Sequence, residues 1–89
     1  MIEQYELYND GDRVVLRKED VQRLMNECLE YFKKEYDPED YEYFVGEAED
    51  IIAEAMNTDD TLIGLRDCPM SGFFIIDQSL VEEYRNGEL

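Results

Sequence analysis

The 89-residue chain predicts an α+β fold. The expected architecture is a small antiparallel sheet of two hairpins packed with an αα-hairpin and a short C-terminal helix, in the order ββ-αα-ββ-α. Three observations predict it. Segments of strand character joined by turn residues stand on either side of two long stripes of helical period. The link between those stripes is short, which suits antiparallel helices. Apolar residues make up 44% of the chain, enough for a core despite a net charge of −16. This length predicts a single domain over residues 1–89, folding without disulfide or metal.

Ile2 to Leu16 reads as a β-hairpin. Tyr5 and Leu7 alternate with Glu6 and Tyr8, Asn9-Asp10-Gly11-Asp12 supplies the turn, and Arg13-Val14-Val15-Leu16 returns. Lys18 to Tyr36 is the clearest helix, with Val21, Leu24, Met25, Cys28, Leu29 and Phe32 on one stripe. Glu19 and Asp20 in its first turn and Lys33 and Lys34 in its last suit the helix dipole.

A second helix opens at Asp37-Pro38, with Asp37 as N-cap and Pro38 at N1. Its buried stripe is Tyr41, Phe44, Val45, Ala48, Ile51 or Ile52, Ala55 and Met56, and Asn57-Thr58-Asp59-Asp60 ends it. Leu62-Ile63-Gly64-Leu65 and Phe73-Phe74-Ile75-Ile76 then flank a loop at 67–72 as a second pair of strands. The unbroken apolar run at 73–76 predicts a strand covered on both faces, at the centre of the sheet. Ser79-Leu80-Val81-Glu82 reads as a capping box that opens a short helix stopping near Gly87.

The charge is the unusual part. There are 24 acids against 8 bases and no histidine. From Glu35 to Leu65 the chain carries eleven acids and no cation, and half of EYDPEDYEYFVGEAED is carboxylate. Surface helices ordinarily mix signs, because opposite charges at i,i+4 stabilise and like charges destabilise by similar amounts. So one-sided a run points to a function outside the fold, the binding of something strongly positive. It argues against nucleic acid or an anionic membrane as direct ligand, since both are repelled.

Catalytic chemistry has no foothold. The lack of histidine removes the usual neutral-pH base, the Ser-His and Cys-His pairs and the commonest zinc ligand. No P-loop, GxGxxG or GxSxG string occurs. An EF-hand register from Asp37 meets Tyr41 and Glu42 at positions five and six, and one from Asp59 meets Ile63 and Met70 at five and twelve. No enzyme activity and no cofactor are expected. Cys28 and Cys68 form no CxxC pair and are expected to stay unpaired, Cys28 on an apolar helix face. No apolar run reaches membrane-span length and MIEQYELYND has no signal-peptide core, so a cytoplasmic protein is expected.

Between Glu39 and Glu54 seven carboxylates occupy sixteen residues. On a helix rising 1.5 Å per residue that is one charge per roughly 3.4 Å, close to the phosphate spacing of about 3.4 Å along one DNA strand. Tyr31, Tyr36, Tyr41 and Tyr43 interleave with the acids and offer ring faces to Arg and Lys, unless they only line the core. The predicted partner surface is Glu39, Glu42, Glu47, Glu49, Asp50 and Glu54, with Tyr43 as anchor and Asp59 and Asp60 at its rim.

Length, acidity and the cation-free stretch EYDPEDYEYFVGEAED together resemble the small acidic DNA-mimic proteins of bacteriophages. Those proteins occupy the nucleic-acid sites of host restriction enzymes, CRISPR effectors, DNA repair enzymes, RNA polymerase or HU-type nucleoid proteins. The resemblance is one of class, without a shared fold or signature motif, so no residue roles carry over from it. It implies a cytoplasmic or nucleoid-associated inhibitor, often a homodimer, acting by competition on a basic nucleic-acid-binding host protein. Two other readings fit the composition. One is a regulatory interaction module, of the RNA polymerase or chaperone adaptor type, that binds without competing with nucleic acid. The other is halophilic adaptation, against which stands the confinement of the acid excess to the second helix rather than the first.

Overall fold

The computed structural model describes residues 6–68, Met70 and 72–89. The Ile2–Tyr5 part of the predicted first strand, and Pro69 and Ser71 of the second hairpin loop, lie outside the described residues. The elements are β1 (Glu6–Asn9), β2 (Arg13–Arg17), a 3-10 turn (Lys18–Asp20), α1 (Val21–Glu35), α2 (Pro38–Asn57), β3 (Leu62–Cys68), β4 (Phe73–Ile76) and α3 (Ser79–Arg85). Among the described residues the fold is α+β, a four-stranded antiparallel sheet with three helices.

The first hairpin turns on Gly11, whose φ of 92° lies in the left-handed region. The Asn9 side chain accepts the Gly11 N–H at 2.8 Å, and the Asp10 carboxylate accepts the Arg13 N–H at 3.1 Å. These are the side-chain turn bonds that make Asn and Asp common at such positions.

The apolar stripe of α1 packs as expected, with Val21, Leu24 and Met25 buried and Cys28, Leu29 and Phe32 packed against the core. Its start is tighter than periodicity predicts. Glu19 and Asp20 belong to the 3-10 turn, and Asp20 is only 6% exposed. It tolerates burial because Arg17 Nε donates to its carboxylate at 3.0 Å.

In α2 the buried residues are Phe44, Ala48, Ile51 and Ala55, which decides between Ile51 and Ile52. Met56, expected on the same stripe, is instead 63% exposed at the helix end. Asp37 is the N-cap, extended as a residue before proline tends to be. Its side chain makes no capping bond, and its main-chain carbonyl accepts the Tyr41 N–H at 2.8 Å.

The strand order is β1-β2-β3-β4, so β2 and β3 are central and β4 is an edge. This corrects the expectation for the 73–76 run. The both-face burial belongs instead to Val14-Val15-Leu16 and Ile63-Gly64-Leu65, all buried and paired as Val14 with Leu65, Val15 with Gly64 and Leu16 with Ile63. The apolarity of β4 has another cause. Phe73 joins Phe32 and Phe44, whose rings stack at 4.3 Å, while Phe74 and Ile76 pack against the main core.

The helices occupy both faces of the sheet. Val14, Leu16, Ile63 and Leu65 meet α1 and α2, whereas Val15 turns the other way onto Leu80 and Val81 of α3. The expected capping box at Ser79 is absent. Gln78 holds the N-cap position and the Asp77 carboxylate accepts the Ser79 N–H at 3.1 Å. The helix ends as predicted, with Gly87 at φ 76°. The Gly87 N–H donates to the Tyr84 carbonyl and the Glu88 N–H to the Glu83 carbonyl, a Schellman closure.

Where the chain leaves β4, the Gln78 side chain continues the ladder. Its Oε1 accepts the Gly64 N–H at 2.9 Å and its Nε2 donates to the Leu62 carbonyl at 3.0 Å. That close approach needs a glycine, because a Cβ at residue 64 would lie 2.4 Å from the Asp77 carbonyl oxygen and 2.9 Å from Leu80 Cβ.

Two glycine replacements should therefore have opposite signs. Gly64→Ala forces backbone apart and is expected to cost about 1–3 kcal/mol. Gly46→Ala fills open space on α2 and should stabilise by about 0.5–1 kcal/mol through helix propensity. Urea unfolding of both variants checks the pair; equal effects would contradict the packing at Gly64.

Candidate partner-binding surface

The arginines of the chain pair with acids outside α2. Arg13 pairs with Asp10 at 2.7 Å, Arg17 with Asp20 at 3.0 Å, Arg66 with Asp77 at 3.1 Å and Arg85 with Asp60 at 2.7 Å. Among the described residues, none of the seven carboxylates of α2 takes part in an ion pair.

Glu39 and Asp40 in the first turn of α2 are favoured by the helix dipole, but its last turn has no base. Lys18 supplies the missing positive charge from outside the helix, its Nζ donating to the Thr58 carbonyl at the C-cap. The Thr58 hydroxyl also donates to the Glu54 carbonyl at 2.9 Å.

The helix sorts the predicted residues into two rows. At about 100° per residue, Glu39, Tyr43, Glu47, Asp50 and Glu54 follow one ridge at successive spacings of three or four. Glu42 and Glu49, seven apart, lie on the other flank of the exposed face. Glu39, Glu42, Glu49, Asp50 and Glu54 are exposed and Glu47 is half-buried. Tyr43 is 48% exposed, and its ring sits edge-on against Phe44 with centroids 5.3 Å apart, so the core fixes its direction.

The rim divides. Asp59 is exposed in the turn after α2. Asp60 is engaged in the fold, since both its oxygens receive Arg85 guanidinium nitrogens, at 2.7 and 2.8 Å, and Oδ1 also accepts the Leu62 N–H at 3.0 Å. Those bonds favour its ionised form and lower its pKa to about 2. Of the tyrosines, Tyr31 and Tyr36 are exposed like Tyr43, whereas Tyr41 is half-buried on the core side.

Sequence reading did not find what lies beside the ridge. Glu47, Asp50 and Glu54 overhang β4 and, with Ile51, Phe74, Ile75 and Ile76, line an open groove of about 300 Å³. Two signals bear on it in hindsight, the acids at 47, 50 and 54 on one helical ridge and the apolar run at 73–76. Only the strand order joins them. The surface is suited to holding cations against carboxylates. Among the described residues no group of three or more metal-ligating side chains comes together, and no helix is long and apolar enough to cross a membrane. No disulfide joins Cys28 to Cys68, and burial pushes the Cys28 thiol pKa up.

Uncompensated acids on one helix leave a repulsion that mobile ions can screen, with a Debye length of about 8 Å at physiological ionic strength. Raising NaCl from dilute buffer to moderate concentration should therefore raise the melting temperature. A flat response would mean that nearby bases already balance α2.

The Asp60–Arg85 pair gives the opposite dependence on acid. A carboxyl held near 2 in the folded chain against 3.8 in the unfolded one contributes stability above about pH 4 and loses it as pH falls through about 2. The gap in melting temperature between the native chain and Arg85→Gln should be full near neutrality and close over that window. A gap independent of pH would show that Arg85 acts by packing alone.

Comparison of the chain with family models, with curated proteins and with solved structures finds no match, so the functional reading rests on this surface.

Proposed function

We propose that this protein is an acidic inhibitor that occupies the nucleic-acid-binding site of a basic protein, acting in the cytoplasm as a DNA mimic. The observation that carries the reading is the segregation of charge. Elsewhere in the fold Asp10, Asp20, Asp60 and Asp77 are matched with arginines, whereas among the described residues the seven acids of α2 are matched with none. Solubility alone does not account for this, because any even distribution of charge would serve it.

A helix of twenty residues is a rigid rod of roughly 30 Å, and its carboxylates from Glu39 to Glu54, averaged along the axis over both flanks, come at nearly the phosphate rise. A DNA-binding groove that accepts phosphates with Lys and Arg meets here the same charge on a fixed scaffold. The summed field steers encounter, whereas each exposed pair contributes only about 0–1 kcal/mol.

A single Glu→Gln change on α2 should thus be mild. Replacing Glu42, Glu47, Glu49 and Asp50 together by lysine should abolish capture of the partner, with native circular dichroism. The same four-charge reversal at exposed Glu19, Glu30, Glu82 and Glu88 should retain it. Pull-down from bacterial lysate at low and high salt, followed by displacement of DNA from the captured protein, makes the test. Partner binding by the α2 variant, or binding that leaves DNA in place, would overturn the mimic reading.

A further inference from the structure

We propose that the β4 edge and the Glu47–Asp50–Glu54 ridge together form a docking groove for an extended segment of the partner bearing Lys or Arg at alternate positions. The segment would add to the sheet as a fifth strand. The inference rests on the reading that the acids of α2 meet a cationic protein, and it specifies which part of that protein they hold.

The first support is the open ladder. The Asp77 N–H donates to the Gly64 carbonyl at 2.8 Å, which sets the bonding phase between β3 and β4. With Arg66 opposite Ile75 and Asp67 opposite Phe74, Ile75 bonds toward β3. The N–H and C=O groups of Phe74 and Ile76 therefore point away from it. Among the described residues no strand lies beyond β4. Edge strands are commonly blunted by Lys, Pro or an inward charge. The four residues Phe73-Phe74-Ile75-Ile76 carry none of these.

The second support is parity. Residues directly opposite Phe74 and Ile76 on an added strand point their side chains to the same face as Phe74 and Ile76. That is the face where Phe74 and Ile76 meet the main core, beside Glu47, Asp50 and Glu54. Alternate residues of a strand are about 6.7 Å apart, and carboxylates three or four apart on a helix rise about 4.5–6 Å. Successive cations of a basic-x-basic segment can each reach a successive acid, and the intervening residues face away.

Charge also selects the occupant. A second copy pairing edge to edge would bring two cation-free ridges together, which like-charge repulsion opposes. A basic segment gains on both counts, through main-chain bonds for affinity and through the acid row for specificity.

The test uses the full chain and three labelled synthetic peptides at low salt. One is eight residues of alternating Lys and Thr, the second has the same composition with its lysines in one block, and the third is the alternating peptide with alternate backbone nitrogens methylated on the bonding edge. The alternating peptide should bind at least tenfold more tightly than either of the others. It should also slow hydrogen exchange at the Phe74 and Ile76 amides. Glu47→Gln, Asp50→Asn and Glu54→Gln combined should remove its advantage. Equal binding of all three peptides, no binding of any, or unchanged exchange at Phe74 and Ile76 would overturn the proposal. Loss of partner capture by the lysine variant of α2, with no effect of methylation, would sink strand addition and leave the mimic reading intact.

Discussion

The pairing of β2 with β3 is the constraint on which the rest of the molecule depends. Val14-Val15-Leu16 and Ile63-Gly64-Leu65 form a ribbon apolar on both faces, and each face has to be covered. The αα-hairpin covers one and α3 the other. Gly64 lets the second cover come close, because only a residue without a side chain admits the Asp77 carbonyl and Leu80. Once that ribbon is in place, β1 and β4 can only be edges, and the open side of β4 falls under the acidic flank of α2.

Five of the eight cations sit where elements join. Arg13 closes the first turn, and Arg17 holds the entry to α1. Lys18 closes the C-terminus of α2. Arg66 ties β3 to the turn before α3, and Arg85 ties α3 to the loop before β3. In a chain of net charge −16 self-repulsion works against compactness, and these contacts place attraction at the joints. The repulsion that remains is concentrated on α2, whose backbone bonds are internal and which can bear it without coming apart.

Helices were legible in the sequence because period and burial agree. Val21 through Phe32 and Phe44 through Ala55 pack where a 3.6-residue spacing puts them. The element order and the turn at Gly11 were legible for the same local reason. What failed at 73–76 and at Gln78 depended on partners distant in sequence, and the capping box failed to a near one. An apolar run at 73–76 does not say whether a strand or an aromatic cluster on another element accounts for it. The Ser79 string looked like a capping box until Asp77, two residues earlier, took the N–H instead. Gln78 gave no signal at all, because its role is set by the main chain of β3. For the surface, the acids were readable and the groove was not, since it needs both the ridge phase and the strand order.

The strand order also sets how the chain can assemble. Neighbours in the sheet are neighbours in sequence except at one seam, where the whole αα-hairpin intervenes between β2 and β3. Both β-hairpins and the helical pair are local and close small loops. Within the sheet, only the seam between the described strands requires a long-range encounter, and loop entropy grows slowly with length, about 0.6 kcal/mol for each doubling. Because α1 and α2 run antiparallel, forming them first returns the chain to where it left the sheet. The slow event in folding is then expected to be the zipping of that interior seam, from Arg13 with Arg66 to Arg17 with Leu62, the kind of non-local pairing that slows folding.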